Sequence, residues 1–332
     1  MKVLVFGAGA TGSLLGARLH AAGFSVHLVG RPDHVRAIRT DGLSVEGLDG
    51  SPFRIPATEK VPEGSRFDRI LFTVKAPDIE AGAQALGQSL VHPGPLLALQ
   101  NGLGIQTRTK RALRAAGWAY SEKWVTRGIQ ILGATLLGPG RVRRASPTEE
   151  IVLGTPGPDG ALNGFDALLR IAGIDVRLAR SIDEEEWRKA MVNAAVNPIT
   201  ADHGVPNGRL ADDPLRGQAL ALLEEARTVA AASGFPFPRE QAEQEFFRVV
   251  RGSASNRSSM LQDLDRGRPT EIDAISGEIL RRGASLGLAL PNTRRIVARI
   301  EARGLTAPPA GTRPGPAQPP AARSGRGRSK RK

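Results

Sequence analysis

Apolar runs and helix-like segments alternate along the first half of the chain. A helix follows the first run and ends at Gly23, and a second helical segment spans about 77–90. Strands that alternate with helices predict a parallel sheet with helices on both faces. The apolar runs predict short buried strands at residues 1–6, 25–29, 69–74 and 95–100.

The pattern changes over about residues 126–154, where three strand-like segments are joined by turns. A short helix at 162–172 and one more strand follow. Beyond residue 180 the chain is helical, with predicted helices at about 214–233, 238–251, 271–286 and 292–303, in addition to one that begins at Ser181. The fold class we predict is therefore α/β, an N-terminal Rossmann-type doubly wound sheet followed by an all-helical C-terminal domain.

The helix after residue 180 has a clear start and an expected stop. Ser181 with Glu184 forms a capping box, which satisfies N–H groups of the first turn. Pro198 lacks an N–H and crowds the preceding turn, so we expect it to end or kink the helix just after Asn197.

This helix carries polar residues on one side of an apolar sequence. Lys189, Asn193 and Asn197 recur every four residues, so they lie on one face of the helix within roughly 80°. One lysine and two carboxamides among alanine, methionine and valine indicate a pocket for a small polar molecule. The alternatives are that the asparagines bridge helices and that the lysine reaches the surface along its aliphatic stem.

The composition narrows the class of protein. The chain has 332 residues and no cysteine, which rules out disulfides and thiolate metal sites and fits a cytoplasmic protein. No apolar run approaches the ~20 residues of a membrane helix. The net charge is +13, but residues 305–332 hold seven basic residues and no acid; without them 39 basic face 33 acidic residues. Aromatic residues are scarce, so a nucleic-acid partner is not favoured.

Three regions follow from these patterns. Residues 1–180 are predicted to form a cofactor-binding domain, and 181–304 a helical substrate-binding domain. Residues 305–332, rich in Pro, Ala, Gly and Arg, are predicted to be a disordered basic tail, because they cannot bury enough apolar surface to offset the entropy of ordering.

A glycine-rich turn stands between the first strand and the first helix. The pattern G-x-G-x-x-G permits a tight turn, lets a pyrophosphate approach the backbone, and allows close packing of helix on strand. The N-terminus of the helix adds free N–H groups for phosphates. A dinucleotide site is favoured over a turn without a ligand, and its residues are Gly7, Ala8, Gly9, Ala10, Thr11 and Gly12.

The end of the second strand indicates which dinucleotide binds. An NAD site usually has an acid there to bind the ribose 2′-hydroxyl, whereas this chain has Arg31. A guanidinium suits a 2′-phosphate, so we predict NADP(H). A solvated loop arginine is the alternative. Lys75 and Asn101 follow two further strands, where they could contact the adenosine end and the nicotinamide ribose or substrate.

With these motifs in this order, the chain resembles the ketopantoate reductases (2-dehydropantoate 2-reductases). The resemblance covers about residues 1–303. It rests on G-A-G-A-T-G, Arg31, T-V-K-A, Q-N-G, the K-x-x-x-N-x-x-x-N helix and above all S-S-M-L-Q-D-L-D-R-G-R-P-T-E-I-D at 258–273. One departure is at 141–144, which read R-V-R-R where relatives often have a histidine.

The resemblance implies roles for particular residues. It implies that Lys189 is the catalytic proton donor, that Glu271 closes the site near the cofactor as a second catalytic residue, and that Ala134 contacts the cofactor. Glu271 alone would be interpreted as an acid that favours a helix start. The implied substrate ligands are Asn101, Lys189, Asn193, Asn197, Asn207, Asn256 and Ser259.

The expected activity is NADPH-dependent reduction of ketopantoate to (R)-pantoate in pantothenate biosynthesis. The alternatives are a paralogous reductase of another 2-oxo acid or an imine, and a non-catalytic NADP(H)-binding regulator; the basic tail could also tether nucleic acid or an acidic partner. The five histidines show no metal-ligand spacing, so no metal is expected. A homodimer is possible, although no interface can be identified.

Overall fold

The computed structural model describes residues 1–92, 94–118, 124–154 and 162–306 of the chain. The strands are β1 (Lys2–Phe6), β2 (Ser25–Val29), β3 (Ser44–Glu46), β4 (Ala57–Thr58), β5 (Ser65–Arg66), β6 (Arg69–Phe72), β7 (Leu90–His92), β8 (Leu96–Ala98), β9 (Val125–Gly138), β10 (Arg141–Gly154) and β11 (Asp175–Ala179). The helices are α1 (Ala10–Ala21), α2 (Pro32–Asp41), α3 (Ile79–Ser89), α4 (Ile105–Ala115), α5 (Phe165–Ile171), α6 (Ile182–His203), α7 (Leu215–Ala232), α8 (Arg239–Gly252), α9 (Ser259–Asp265), α10 (Glu278–Ser285) and α11 (Pro291–Thr306). Short 3₁₀ turns lie at Ala76–Asp78 and Asn207–Ala211, and a π-helical turn at Asp273–Gly277.

The strands form one large sheet in the order β11-β10-β9-β8-β6-β1-β2-β4, with β3 paired to β10. All of these pairs are parallel except β9 with β10, which form a long antiparallel hairpin. Two short parallel strands, β5 and β7, pair separately. This mixed sheet, followed by helices from Ile182 to Thr306, confirms the predicted fold class.

The order of strands reverses at β1, which places a crevice at one edge of the sheet. From β1 the chain passes to β2 on one side and later to β6 on the other, so that Phe6 pairs with both Val29 and Phe72. In open α/β sheets ligands bind at such a switch point, beyond the carboxyl ends of the strands. The loops after β1, β2, β6 and β8 all lie at this edge.

Apolar side chains cover both faces of the sheet. Helices α1, α2 and α5 pack on one face, where Leu15 and Phe165 are almost fully buried. Helices α3 and α4 pack on the other face, around Phe72. This is the two-sided covering that a predominantly parallel sheet requires.

The helical region has its own core, built around α6. This helix is buried on nearly all sides, with Trp187 1% and Ala195 0% exposed, as expected for a helix that other helices surround. The Ser181 hydroxyl accepts a hydrogen bond from the N–H of Glu184, which confirms Ser181 as the N-cap, while the Glu184 carboxylate accepts from Arg188. Of the two effects expected of Pro198, an end or a kink after Asn197, the end was wrong, because α6 continues through Pro198 to His203.

Two other boundaries differ from expectation. The last two strand-like segments before residue 154 form one strand, β10, whose register with β9 shifts between Arg144 and Glu149. Helix α11 reaches Thr306, two residues into the predicted tail. The rest of that predicted tail, 307–332, lies outside the described residues. No helix in the described part of the chain is long and apolar enough to cross a membrane.

A buried ion pair joins the sheet to α6. The Arg127 Nε of β9 donates to Glu186 Oε1 at 2.8 Å, and the two side chains are 5% and 8% exposed. The guanidinium also donates to the carbonyls of Ala98 and Gln100, while Glu186 Oε2 accepts from the N–H of Gly104. The pair thus fixes α6 against the end of β8, close to the crevice.

Breaking this pair on one side should destabilise the fold strongly. We expect Glu186→Gln to lower the free energy of unfolding by about 3–5 kcal/mol, because the guanidinium of Arg127 stays buried without a countercharge. Urea denaturation followed by circular dichroism measures the change. The control is Arg216→Ala, which removes an exposed ion pair with Asp213 and should cost less than about 1 kcal/mol. Equal effects of the two substitutions would show that the buried pair is not a structural anchor.

Candidate active site

The glycine turn is shaped by close backbone packing at two of its three glycines. Gly7 has φ +112°, and a Cβ there would lie 2.4 Å from the nitrogen of Val74. A Cβ at Gly12 would lie 2.3 Å from the carbonyl oxygen of Gly7. The hydroxyl of Thr73 donates to the same oxygen at 2.9 Å and holds the turn against the end of β6. Only glycine fits these two positions.

Gly9 differs, because no atom in the described part of the chain crowds it. The nearest atom that a Cβ at Gly9 would meet is 3.9 Å away, so packing within the chain does not require a glycine. Gly9 precedes α1 and faces a cleft with a volume of about 760 Å³. Close approach of a ligand to the backbone explains a glycine at this position.

The cleft collects all of the predicted cofactor residues and one further predicted substrate ligand, Ser259. It lies at the carboxyl edge of the sheet, and its size is that of a small-molecule site. The predicted residues that line it are Gly7, Ala8, Gly9, Ala10, Thr11, Gly12, Arg31, Lys75, Asn101, Ala134, Ser259 and Glu271.

Arg31 is the N-cap of α2 and lines the cleft beyond the end of β2. The side chain is exposed, and no ion pair or hydrogen bond holds its guanidinium within the part of the chain that the structure describes. Asp33, the nearest acid in sequence, pairs with Arg36 instead. Arg31 therefore offers the cleft an uncompensated positive charge.

Lys75 joins the first region to the helical region. Its Nζ lies 2.5 Å from Asp263 Oδ1 and donates to the carbonyl of Pro269 at 3.0 Å. Burial raises the pKa of Asp263 even though the charge of Lys75 opposes that shift. This lysine is committed to bonds across the cleft, so its predicted contact with the cofactor stays a prediction.

Glu271 bridges the same two regions from the helical side. Its Oε2 accepts from the side-chain amide of Asn101 at 2.9 Å, and its Oε1 accepts from the N–H of Ala76 at 3.1 Å. Burial raises the pKa of Glu271, although both hydrogen bonds and the charge of Lys75 oppose the shift. Asn101 Oδ1 is buried without a partner in the described residues, which leaves an acceptor for a ligand.

Lys189 of α6 does not itself line the cleft, but it bonds to a residue that does. Its Nζ donates to the carbonyl of Gln130 at 2.6 Å, and Gln130 lines the cleft. Burial lowers the pKa of Lys189 to about 7; the charge of Arg127 acts in the same direction, and that of Glu271 opposes it. The ammonium therefore gives up its proton far more readily than an exposed lysine.

Asn193 and Asn197 continue this face of α6 but do not line the cleft themselves. Asn193 is partly exposed and Asn197 is 7% exposed. Neither carboxamide has a hydrogen-bond partner among the residues described. The hydroxyl of Thr200 contacts the backbone carbonyl of Asn197 and the hydroxyl of Ser258, so it joins this part of α6 to the start of α9, where Ser259 lies.

Asn207 and Asn256 lie together, but away from the lining of the cleft. The N–H of Asn207 donates to the carbonyl of Asn256 at 2.9 Å, and its side-chain amide donates to Ser253. Asn207 Oδ1 is buried without a partner in the described part of the chain. The structure therefore brings these two residues to each other and not to the glycine turn.

Several residues of the site were missed in the sequence. Arg127 adds charge beside Lys189, Thr73 braces the glycine turn, and Gln130 anchors the lysine. Asp263 lay within the S-S-M-L-Q-D block and could have been proposed as the partner of a cleft lysine. Arg268 lies in the same block and also lines the cleft. No cluster of three or more His, Asp or Glu suited to a metal occurs within the described ranges.

The fold and the cleft define a dinucleotide-binding oxidoreductase of the Rossmann type. The family model described as ketopantoate reductase PanE/ApbA matches residues 3–157, and the model of its C-terminal part matches 181–304. The 2-dehydropantoate 2-reductase of Archaeoglobus fulgidus is 36% identical over 301 residues, 89% of this chain and 95% of that relative. The chain belongs to the ketopantoate reductase family.

Solved structures agree with this assignment. A PanE/ApbA family ketopantoate reductase from Ralstonia eutropha JMP134 has a TM-score of 0.79 and 31% identity, covering 92% of this chain and 98% of that one. D-mandelate dehydrogenase, solved with NADH and anilino(oxo)acetate, has a TM-score of 0.84 at 24% identity, covering 92% and 99%. The second likeness shows the shared fold alone.

The acidity of Lys189 can be measured directly. With isotopically labelled lysine, we expect its Nζ and Cε chemical shifts to titrate near pH 7, because burial disfavours the charged amine. The signal that Lys189→Arg abolishes identifies the residue. Glu271→Gln should lower this pKa further, since the carboxylate of Glu271 stabilises the ammonium. Titration at the ordinary lysine value of 10.5 would contradict the described surroundings.

Proposed function

We propose that the protein reduces the C2 ketone of 2-dehydropantoate to the alcohol of (R)-pantoate, with NADPH as the electron donor. The observation that carries the proposal is the contact of Lys189 with Gln130, which places an acidic ammonium at the wall of the glycine-turn cleft. Membership of the ketopantoate reductase family and the name of the Archaeoglobus relative support the substrate.

The residues of the cleft fit a phosphorylated dinucleotide. Gly9 leaves the backbone open to a pyrophosphate, and the N-terminus of α1 offers N–H groups to it. Arg31 supplies a free positive charge for a 2′-phosphate. The unpartnered Oδ1 of Asn101 can accept from a ribose hydroxyl. When bound, the reduced nicotinamide supplies a hydride to the substrate carbon.

Lys189 supplies the proton. The ammonium donates one N–H to Gln130, and its other N–H groups have no partner in the described residues, so they can polarise the ketone oxygen. As the carbonyl carbon gains a hydride, the oxygen takes a proton from Nζ and the ketone becomes an alcohol. A pKa near 7 suits a general acid at neutral pH.

Glu271 and Arg127 set the charge of this lysine from two sides. The carboxylate of Glu271 favours the ammonium, while the guanidinium of Arg127 disfavours it. Glu271 is held by Asn101 and Ala76, so its distance from the lysine is fixed by both regions of the chain. We assign two roles to Glu271: its charge stabilises the protonated form of Lys189, and its hydrogen bonds to Asn101 and Ala76 close the cleft.

The polar face of α6 supplies groups for the rest of the substrate. The carboxamides of Asn193 and Asn197 are free to bind its carboxylate and hydroxyl, and Ser259 adds a hydroxyl from the lining of the cleft. An analogue without the hydroxyl would leave buried amides unpaired, which favours a hydroxylated substrate. Asn207 and Asn256 do not line the cleft, and the buried Oδ1 of Asn207 is an acceptor that this pair leaves open for a ligand.

Removal of the proton donor should impair turnover without loss of the cofactor site. We expect Lys189→Ala to lower kcat by at least about 10²-fold, the usual contribution of a general acid, while Kd for NADPH changes little. Steady-state kinetics and fluorescence titration measure the two quantities. The matched control is Arg188→Ala, a neighbouring change in an ion pair with Glu184, which should leave kcat near that of the wild type. A near-normal kcat in Lys189→Ala would refute the assignment.

The substrate is tested by a panel of 2-oxo acids assayed with NADPH and NADH. We expect the highest kcat/KM for 2-dehydropantoate with NADPH, and a lower value for analogues that lack its hydroxyl. A higher value for another 2-oxo acid or an imine would assign the protein to a paralogous reductase. Binding of NADPH with no turnover of any compound would indicate a regulator in place of an enzyme.

A further inference from the structure

The segment from Asp263 to Glu271 lies along the cleft and is fixed to the first region of the chain. Near its start, Asp263 pairs with Lys75, and the guanidinium of Arg266 donates to the carbonyl of Leu136 at 2.9 Å. At its end, Pro269 accepts from Lys75, and Glu271 bonds to Asn101 and Ala76. These contacts hold the segment in place against the opposite wall.

Arg268 stands between these anchors. Its backbone N–H donates to the carbonyl of Asp263 at 2.9 Å, but its side chain forms no bond of its own among the described residues. It lines the cleft and is half-buried, yet its guanidinium has no hydrogen-bond or ion-pair partner in the part of the chain that is described. Burial and the charges of Arg31 and Arg266 lower its pKa, and the charge of Asp263 opposes this shift only in part. An arginine held near like charges without a counterion is an energetic cost to the free protein.

The positive charge of Arg268 extends over the start of α2. It contributes, after burial, to lowering the pKa of His34 to about 4. His34 accepts from the N–H of Gly140 through Nδ1, so its Nε2 carries the proton that is shared with Ser13. His34 is therefore neutral and adds no charge, and the region is dominated by arginines.

The acids that share this part of the cleft form no ion pair with Arg268 among the described residues, although the charge of Asp263 favours its guanidinium. Asp33 pairs with Arg36, and Glu59 forms no ion pair with Arg31 or Arg268 among the described residues. Asp263, which lies nearer, is engaged with Lys75. Two guanidiniums from separate parts of the chain thus converge on the cleft and lack an anion.

We propose that Arg268 is a second phosphate-binding residue, which acts with Arg31 to hold the 2′-phosphate of NADPH between the two walls of the cleft. A phosphate monoester is a dianion with three acceptor oxygens, so it can bind two guanidiniums at once. NADH carries a hydroxyl there and gains nothing from a second arginine. This inference rests on the proposed function. It means that the preference for NADPH over NADH depends on an arginine from each region of the chain, Arg31 from the first and Arg268 from the helical one.

The test compares Kd for NADPH and NADH in the full-length protein by isothermal titration calorimetry. We expect Arg268→Ala to raise Kd for NADPH by about 10-fold or more, the scale of a charge-assisted hydrogen bond, and to leave Kd for NADH within about two-fold. Arg31→Ala should behave in the same way. Arg268→Lys, which keeps the charge but not the planar fork, should give an intermediate Kd for NADPH.

The control is Arg39→Ala, which removes an exposed arginine of α2 that does not line the cleft. It should change neither Kd, so a general loss of positive charge can be separated from loss of Arg268. An unchanged Kd for NADH also shows that the Arg268 variants are folded.

The outcomes separate this inference from the proposed function. If the wild type prefers NADPH and Arg268→Ala weakens both cofactors equally, or neither, then Arg268 does not bind the 2′-phosphate and the proposed function stands. If the wild type binds NADH as tightly as NADPH, the choice of cofactor is wrong, and the role of Arg268 falls with it.

Discussion

The site depends on the buried ion pair between Arg127 and Glu186. It is the connection that holds α6 against the ends of the central strands, because the same two side chains also bind the carbonyls of Ala98 and Gln100 and the N–H of Gly104. One turn beyond Glu186, Lys189 is thereby brought to Gln130 at the wall of the cleft. The charge of Arg127 also helps to make that lysine acidic. One pair of side chains thus contributes both to the position of Lys189, the proposed proton donor, and, after burial, to the lowering of its pKa.

Much of the fold follows from local sequence patterns. The first strand, glycine turn and helix, the cap at Ser181, and the succession of helices in the second half are set by neighbouring residues. The predicted end of α6 after Asn197 was wrong because Pro198 lies in a buried part of that helix. Packing of the helix on all sides outweighs the one backbone hydrogen bond that a proline removes. The prediction of two separate strands where β10 runs was wrong, because a shift of register with β9 allows polar residues to lie within one continuous strand.

The residues of the site also fall into those that a local sequence pattern predicts and those that it does not. The predicted cofactor residues from Gly7 to Gly12 are adjacent in sequence, so a motif can reveal them. Contacts such as Lys75 with Asp263, or Arg127 with Glu186, join residues far apart in the chain, and their sequence neighbourhoods carry no sign of the pairing. The resemblance identified Glu271, but only the geometry shows that its carboxylate bonds to two loops of the sheet. Positions that line the cleft could therefore be predicted where they lie close together in the sequence, whereas pairings between distant residues could not.

The contacts that cross the cleft affect how a bound molecule enters and leaves it. Lys75, Asn101, Ala76 and the carbonyl of Leu136 all bind the segment from Asp263 to Glu271. A separation of the two walls would break these bonds together, since all lie on one short stretch of chain. Opening is therefore a cooperative event with its own barrier, and the lifetime of a molecule in the cleft is governed by that barrier as well as by its own contacts.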